Sequence, residues 1–420
     1  MANRGKPILC FDCEVGVGQT GNLLMAQTGE LRPDLSKDLI TNMSVLRGRL
    51  ALLNKSVAFA RGQRAVHWWR NAGRSARARH LWRLIALCCL PLMAACAPQL
   101  QTIGPDIDPP HLTDKAIHTA DGIDLPLRAW LPRDDSGQVK PIKAVVIALH
   151  GFNDYSRGMK IPAEGLARRG IAVYAYDQRG FGATPQRGIW PGEKHLIADL
   201  RVAIDLMHQK YPDKPLFLLG ESMGASVIMA AESEQPALPV DGVILASPAV
   251  WGWETQSPFN REVLKFAAKT VPWLTVYSSG IKVQPSDNTT ALRAMAYDPL
   301  VIKDTRVDAV YGLVNLMDRA YRAVPDLCRQ DQGKPRCLIL YGGREDIQAG
   351  TAVHGMLARL PELPPDQLHL ALYPDGHHLL LRDLEAQTVF TDIAVWMDDP
   401  ARLLPSGADK VSPKNLKLGR

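Results

Sequence analysis

The sequence predicts an α/β chain with a mostly parallel central sheet, helices on both faces and a helical cap. Six short apolar runs carry the prediction: Ala144–Leu149, Ile171–Tyr176, Leu216–Leu219, Val243–Ala246, Cys337–Tyr341 and Leu368–Tyr373. They are continuous rather than alternating, which marks strands buried on both faces. Helical stretches at Ile161–Arg169, His195–Lys210, Met223–Ser233, Thr351–Leu360 and Leu384–Met397 separate most of them, and such alternation implies crossover connections in a parallel sheet. The rhythm breaks once, over about 249–336, where aromatic residues and helix-spaced Val263, Leu264, Ala267 and Ala268 predict a cap over the carboxyl ends of the strands.

Taken in order, the chain opens on an imbalance. The 420 residues are 46% hydrophobic and 22% charged, which excludes a disordered tail or a collagen-like fibre. The net charge is +6, but residues 1–96 hold 14 Lys/Arg against 5 Asp/Glu while the rest hold 35 against 38. The basic excess belongs to the leader, so no nucleic-acid partner is expected. Arg70, Arg74, Arg77, Arg79 and Arg83 flank the short apolar run Leu84–Ala95. A basic flank, a run too short to span a bilayer comfortably and a small-residue end make 77–95 an export signal. Its end, Leu92-Met-Ala-Ala-Cys96, resembles a bacterial lipobox. That resemblance implies lipidation at Cys96 and an envelope protein on a lipid anchor. Ala97 after the cysteine points to the outer membrane, facing the periplasm. Because an export signal normally opens a chain, 1–76 is expected to be a leader ahead of the true start.

Two motifs in that leader are discounted. Gly16-x-Gly18-x-x-Gly21, with Asp38 downstream, lacks the strand–helix–strand unit that dinucleotide binding needs. Cys10 and Cys13 form a CxxC without a second pair. Neither a metal nor an organic cofactor is expected. The Pro- and Gln-rich 96–111 reads as a tether, 112–400 as the α/β domain and 401–420 as a flexible tail. Ile123–Leu131 alternates after the turn signal Asp121-Gly122, predicting an antiparallel hairpin. Cys328 and Cys337 are an even pair in an exported chain and so a disulfide candidate.

Chemistry concentrates at Leu216-Phe-Leu-Leu-Gly-Glu-Ser222-Met-Gly224, a strand running through GxSxG into an Ala-rich helix. Glycines on both sides permit a sharp turn that presents the Ser222 hydroxyl at the sheet edge. A serine hydroxyl needs a base to take its proton and an acid to orient the base, both following in chain order at later strand ends. Gly342-Gly-Arg-Glu-Asp346 and Pro374-Asp-Gly-His-His378 lie there. Asp346 and His378 are the expected acid and base, with Glu345 or Asp375 as alternative acids and His377 as an alternative base. Backbone N–H groups of Met223 and Phe152 are the expected oxyanion donors. His150 is expected to shape the Phe152 loop, and Asp177 and Arg179 to brace the site. Trp251 and Trp253, nearest the strand ends in the cap, are the expected substrate-pocket residues.

His150-Gly-Phe-Asn-Asp, Tyr176-Asp-Gln-Arg-Gly-Phe-Gly182, Gly-Glu-Ser-Met-Gly, Gly-Arg-Glu-Asp346 and Tyr373-Pro-Asp-Gly-His-His378 resemble the monoacylglycerol lipase and lysophospholipase branch of the α/β-hydrolases. The resemblance covers roughly Lys115 to Met397. It implies the α/β-hydrolase fold and a Ser-His-Asp hydrolase of lipid-like carboxylic esters, working through an acyl-enzyme without cofactor. The histidine five residues past a strand-end tyrosine singles out His378 over His377. That branch usually has His before the nucleophile, where Glu221 stands here. Two alternatives stay open: a peptidase or amidase using the same residues, and a non-catalytic envelope lipoprotein that keeps the fold as a binding module. The sequence names no protein partner.

Overall fold

The computed structural model describes residues 97–276 and 283–412. Every described residue belongs to the unit Cys88–Arg420. Cys96, the export signal and the discounted leader motifs lie outside the described residues.

The strands are β1 (His111–Leu112), β2 (Ala116–His118), β3 (Asp124–Trp130), β4 (Ala144–Leu149), β5 (Ile171–Tyr176), β6 (Leu216–Glu221), β7 (Gly242–Ala246), β8 (Thr275–Val276), β9 (Thr305–Arg306), β10 (Arg336–Arg344) and β11 (Leu368–His377). Nine of them form one sheet in the order β1-β2-β3-β5-β4-β6-β7-β10-β11, and β8 and β9 pair separately. β1, β2 and β3 are antiparallel, the predicted hairpin being β2–β3; the sheet is parallel from β5 to β11. Strands β4, β5, β6 and β7 are buried along their whole length, as their unbroken apolar runs require.

Helices α1 (Lys160–Ala167), α2 (Glu193–Lys210), α3 (Met223–Glu232) and α7 (Gly350–Arg359) supply crossovers, and α8 (Ala386–Asp398) follows the last strand and packs on α1. α2 buries Leu196, Leu200, Ala203, Ile204 and Met207, an i, i+3/i+4 stripe widened by Ile197, Asp199 and Leu206, and exposes Lys194, Asp205, Gln209 and Lys210. α3 is short, rich in small residues and buried throughout. Two apolar clusters lie on the two faces of the sheet, one around Ile147, Leu218 and Ile339, the other around Phe217, Phe390 and Trp396.

The cap consists of α4 (Pro258–Thr270), α5 (Thr289–Tyr297), α6 (Val307–Ala323) and the β8–β9 ribbon. Ser257 caps α4 through the Asn260 N–H, with Pro258 at the first helical position, and Asn288 caps α5 through the Ala291 N–H. Cys328 and Cys337 are joined in a disulfide at the start of β10.

Two stretches read as loose are docked. Within the predicted tether, Gln101 N–H donates to Trp190 O at 3.0 Å and Gln99 N–H to Asp308 at 3.1 Å. Within the predicted tail, Leu404 and Ala408 are buried and Asp409 lies 3.2 Å from His369. Both carry apolar or hydrogen-bonding residues too thinly spread to show as periodicity.

Candidate active site

Parallel strands deliver their carboxyl ends to one edge, and the order reverses between β4 and β6, where such sheets build their clefts. β6 ends at Glu221, α3 begins at Met223, and Ser222 between them has φ +54° and ψ −112°. A non-glycine residue there is strained. The flanking glycines are what admit it. A Cβ on Gly220 would lie 2.4 Å from Ala225 N, and one on Gly224 would lie 2.3 Å from Leu149 O. The turn lifts Ser222 out of the strand while its neighbours stay buried.

His378 Nε2 is 3.0 Å from Ser222 Oγ, and His378 Nδ1 is 2.5 Å from Glu345 Oε2. The other Glu345 oxygen accepts the N–H groups of Ile347 at 2.8 Å and Gln348 at 3.1 Å. The acid position expected at Asp346 is therefore held by Glu345. Asp346 is exposed and accepts the Gln284 N–H at 2.7 Å. The physical reason lies at the end of β10, where Arg344, Glu345 and Asp346 run exposed, buried, exposed, past a register shift against β11. The alternatives fall away on geometry: Asp375 is an exposed partner of Arg344, and His377 turns its Nδ1 to Asp383 at 3.2 Å.

Burial opposes a charge on His378, but the adjacent Glu345 carboxylate outweighs it and holds the imidazole above its ordinary pKa. Burial likewise raises Glu345, yet His378 and the two N–H groups bring it below the usual carboxylate range. The pair thus suits an ionised acid that steadies an imidazolium.

Met223 is the first residue of α3, whose opening N–H groups have no intrahelical acceptor and carry the positive end of the helix dipole. The Phe152 loop comes close from β4: a Cβ on Gly151 would be in contact with the Ser222 Cβ at 3.5 Å. His150 accepts the Gln178 N–H at 3.0 Å on Nε2 and is held within the loop. These are the positions where two donors can meet a developing oxyanion.

Two features were not read from the sequence. Arg382, four residues past His378, is buried and sets Nη2 2.5 Å from Glu221 and 2.6 Å from Asp154. One guanidinium thereby joins the His378 loop, the residue before Ser222 and the loop of Phe152. A Cβ on Gly158 would lie 2.8 Å from that nitrogen, so the glycine makes room for it. The signal was an arginine inside the apolar run Leu379-Leu-Leu-Arg382 and a glutamate where a histidine was looked for. The second feature is the pocket. A cavity of about 540 Å³ lies beside Phe152, lined among others by Val276, Met295, Ile302 and Val310 of the cap. Neither Trp251 nor Trp253 lines it. Trp253 donates to Asn315 at 2.7 Å and packs, as Trp251 does, on Val314 and Met317 in the cap's own core.

Arg179 binds Asp121 and Asp199, and Asp177 accepts from Ser156 and Ala183, so both act as braces. Among the described residues, Asp287, His377 and Asp383 come close enough to share an ion, but their polar atoms are committed to hydrogen bonds that tie the cap to the His377 loop.

Residues 140–385 match the family model Hydrolase_4, described as serine aminopeptidase S33. The monoacylglycerol lipase of Mycolicibacterium smegmatis is 23% identical over 285 residues, covering 66% of this chain and 93% of that protein. Human monoglyceride lipase is 27% identical over 302 residues, covering 69% of this chain and 90% of that protein. In structure, a soluble variant of the Saccharomyces cerevisiae monoglyceride lipase superposes with a TM-score of 0.55 at 19% identity, covering 72% of this chain and 98% of that one. The Paleococcus ferrophilus monoacylglycerol lipase gives 0.52 at 20% identity, covering 66% and 99%. With a sheet that is parallel from β5 to β11, a serine at the β6–α3 turn and a family match over more than half its length, the chain belongs to the Hydrolase_4 family of α/β-hydrolases.

Proposed function

We propose that this carboxylic ester hydrolase cleaves lipid-like monoacyl esters, of monoacylglycerol or lysophospholipid type, through Ser222, His378 and Glu345. The single observation that carries the reading is the unbroken chain Ser222 Oγ–His378–Glu345 at 3.0 and 2.5 Å. His378 Nε2 takes the Ser222 proton as Oγ attacks the ester carbonyl, and Glu345 steadies the resulting imidazolium. The oxyanion is met by the N–H groups of Phe152 and Met223. Collapse of the tetrahedral intermediate passes the proton to the departing alcohol and leaves an acyl-serine. Water, deprotonated by the same imidazole, then releases the fatty acid. The apolar cavity beside Phe152 suits an acyl chain, and relatives named as monoglyceride lipases support the substrate class. Cys96 carries a lipid anchor in this reading, holding the enzyme at the outer membrane, facing the periplasm.

A fluorophosphonate probe tests the nucleophile, with labelling expected in the native chain and lost in Ser222→Ala. Monoacylglycerols, lysophospholipids and aminoacyl anilides test the substrate. The family description, a serine aminopeptidase, favours amide cleavage as the second reading. Turnover confined to the anilides would establish it in place of ester cleavage.

A further inference from the structure

The loop that carries Phe152 is a tight turn. Asp154 N–H donates to Gly151 O at 3.3 Å, and Asn153, third of the four residues, has φ +65°. That left-handed place suits glycine or asparagine and is costly for most other side chains. Two anchors hold the turn. From the His378 loop, Arg382 holds Asp154 at 2.6 Å. From the cap, the Ile302 N–H donates to Asn153 O at 2.9 Å, and Thr305 Oγ1 accepts the Asn153 side-chain amide at 2.6 Å.

The cap residues that make these bonds also wall the pocket. Ile302 and Thr305 line the cavity of about 540 Å³ together with Phe152 and Asn153. Thr305 pairs with Val276 in the β8–β9 ribbon, and Val276 lines the same cavity. Because Thr305 is buried, its hydroxyl meets the Asn153 amide where water competes little. The Phe152 ring is braced from the cap as well. It lies 6.3 Å from Trp190, and α6 is seated so closely on that indole that a Cβ on Gly312 would be 2.3 Å from it. The residue expected to give its N–H to the oxyanion therefore shares its supports with the surface that an acyl chain fills.

We propose that Asn153 is a positioning residue coupling the acyl cavity to the oxyanion hole, so that a long acyl chain raises kcat as well as lowering KM. This rests on the ester-hydrolase reading above, with Phe152 as an oxyanion donor, and adds the way chain length is felt at Ser222. An acyl chain packed against Ile302 and the Phe152 ring keeps both ends of the Asn153 bonds in place, and the Phe152 N–H stays aimed at the developing charge. A short acyl group leaves that wall unsupported. The binding energy it lacks is then missing from the chemical step and not only from binding. A glycine at 153 would satisfy the turn alone, whereas asparagine satisfies the turn and reaches the cap.

The test is steady-state kinetics of the full chain on p-nitrophenyl butyrate and p-nitrophenyl decanoate. Inhibition by butylboronic and decylboronic acids accompanies it, since their tetrahedral serine adducts place an oxygen in the oxyanion position without turnover. Asn153→Gly keeps the turn and the Ile302 bond but removes the side chain, and Thr305→Val removes the acceptor of that side chain. In each, kcat on the decanoate should fall about tenfold, less than the roughly 10²-fold of a 1 Å misplacement, and kcat on the butyrate about twofold. The preference for decylboronic over butylboronic acid should shrink about fivefold. Thr305→Ser, which keeps the hydroxyl, should keep the native decanoate-to-butyrate ratio. Equal losses on the two esters, or no loss in either variant, overturn the proposal, because the bonds then merely hold the cap in place. If the native chain neither hydrolyses the esters nor binds the boronic acids, the reading of Ser222 falls and the proposal with it. Hydrolysis confined to anilides removes the ester reading alone, and the boronic acids still decide the coupling.

Discussion

Two buried arginines, each between two carboxylates, do different work in this fold. Arg179 spreads its fork in bidentate fashion over Asp199 at 2.9 and 2.8 Å and over Asp121 at 2.6 and 3.1 Å, tying the β2–β3 turn to α2. Arg382 brings a single nitrogen to Asp154 and Glu221 and leaves its own Nε and Glu221 Oε1 without partners among the described residues. The first clamp joins scaffold elements with its geometry fully used. The second joins three loops that must meet at Ser222, and it tolerates unmade hydrogen bonds of about 1–3 kcal/mol each. The contrast teaches that buried charge near the site is arranged for position, and buried charge elsewhere for cohesion.

The sharpest test concerns the acid that orients His378. Glu345→Gln should lower kcat by about 10³–10⁴-fold, the scale seen when the orienting acid of such a triad is neutralised. Asp346→Asn should stay within about threefold, since this exposed carboxylate bonds the Gln284 N–H rather than the imidazole and adds only a minor charge effect on His378. Steady-state kinetics on a p-nitrophenyl ester decides, and the reverse ranking would return the role to Asp346. The same enzyme gives a pH readout. His378 must be neutral to accept a proton, and Glu345 raises its pKa, so the acid limb of kcat/KM should lie above 6.5, the ordinary histidine value. In Glu345→Gln that support is gone, and the limb should move to lower pH.

The two arginines come next. Arg382→Met strands Asp154 and Glu221 in the interior, a loss of about 3–5 kcal/mol. It should also cost about 10²-fold in kcat, because misplacement of reacting groups by about 1 Å has that effect. Arg179→Met should cost a similar 3–5 kcal/mol while leaving kcat within about twofold well below Tm, since its partners do not touch the site. Thermal denaturation and kinetics measured together separate the two. Equal kinetic losses would erase the distinction between clamp and brace.

The sheet was legible because continuous apolar runs and helical periods report burial directly. Each predicted central strand lies within one or two residues of an observed one, apart from β10 and β11, which run further towards their loops. Ser222 and His378 were legible for a related reason: strand-to-turn positions and glycine spacing are local properties. Glu345 against Asp346 was not, because neighbouring carboxylates differ only in which face of the chain is turned inward, and a register shift at Gly342/Arg344 decides that. Arg382 escaped because its partners stand 161 and 228 residues earlier, and no pattern along the chain links them. Trp251 and Trp253 do not line the cavity beside Phe152, because an aromatic near a strand end can fill a cap core as readily as line a pocket.

The smallest effect concerns a buried carboxylate with no arginine. Glu232 closes α3, where the negative end of the helix dipole faces it. Both its oxygens lack a hydrogen-bonding partner among the described residues. Burial raises its pKa from 4.5 to about 7, and Lys334 and Arg201 offset only part of that. Between those values the native state keeps a proton that the unfolded chain releases, so stability falls as pH rises from 4.5 towards 7 and stays reduced above it. A shift of this size is worth up to about 3 kcal/mol. Glu232→Gln removes the titration, so its advantage over the native chain should be slight at pH 5 and grow to about 2–3 kcal/mol at pH 8. Urea denaturation at the two pH values measures it. A constant difference would mean that Glu232 is already paired and that the chain tolerates no buried carboxylate without a cation. A growing one would show that burial without a paired cation holds the Glu232 carboxyl partly neutral at pH 7.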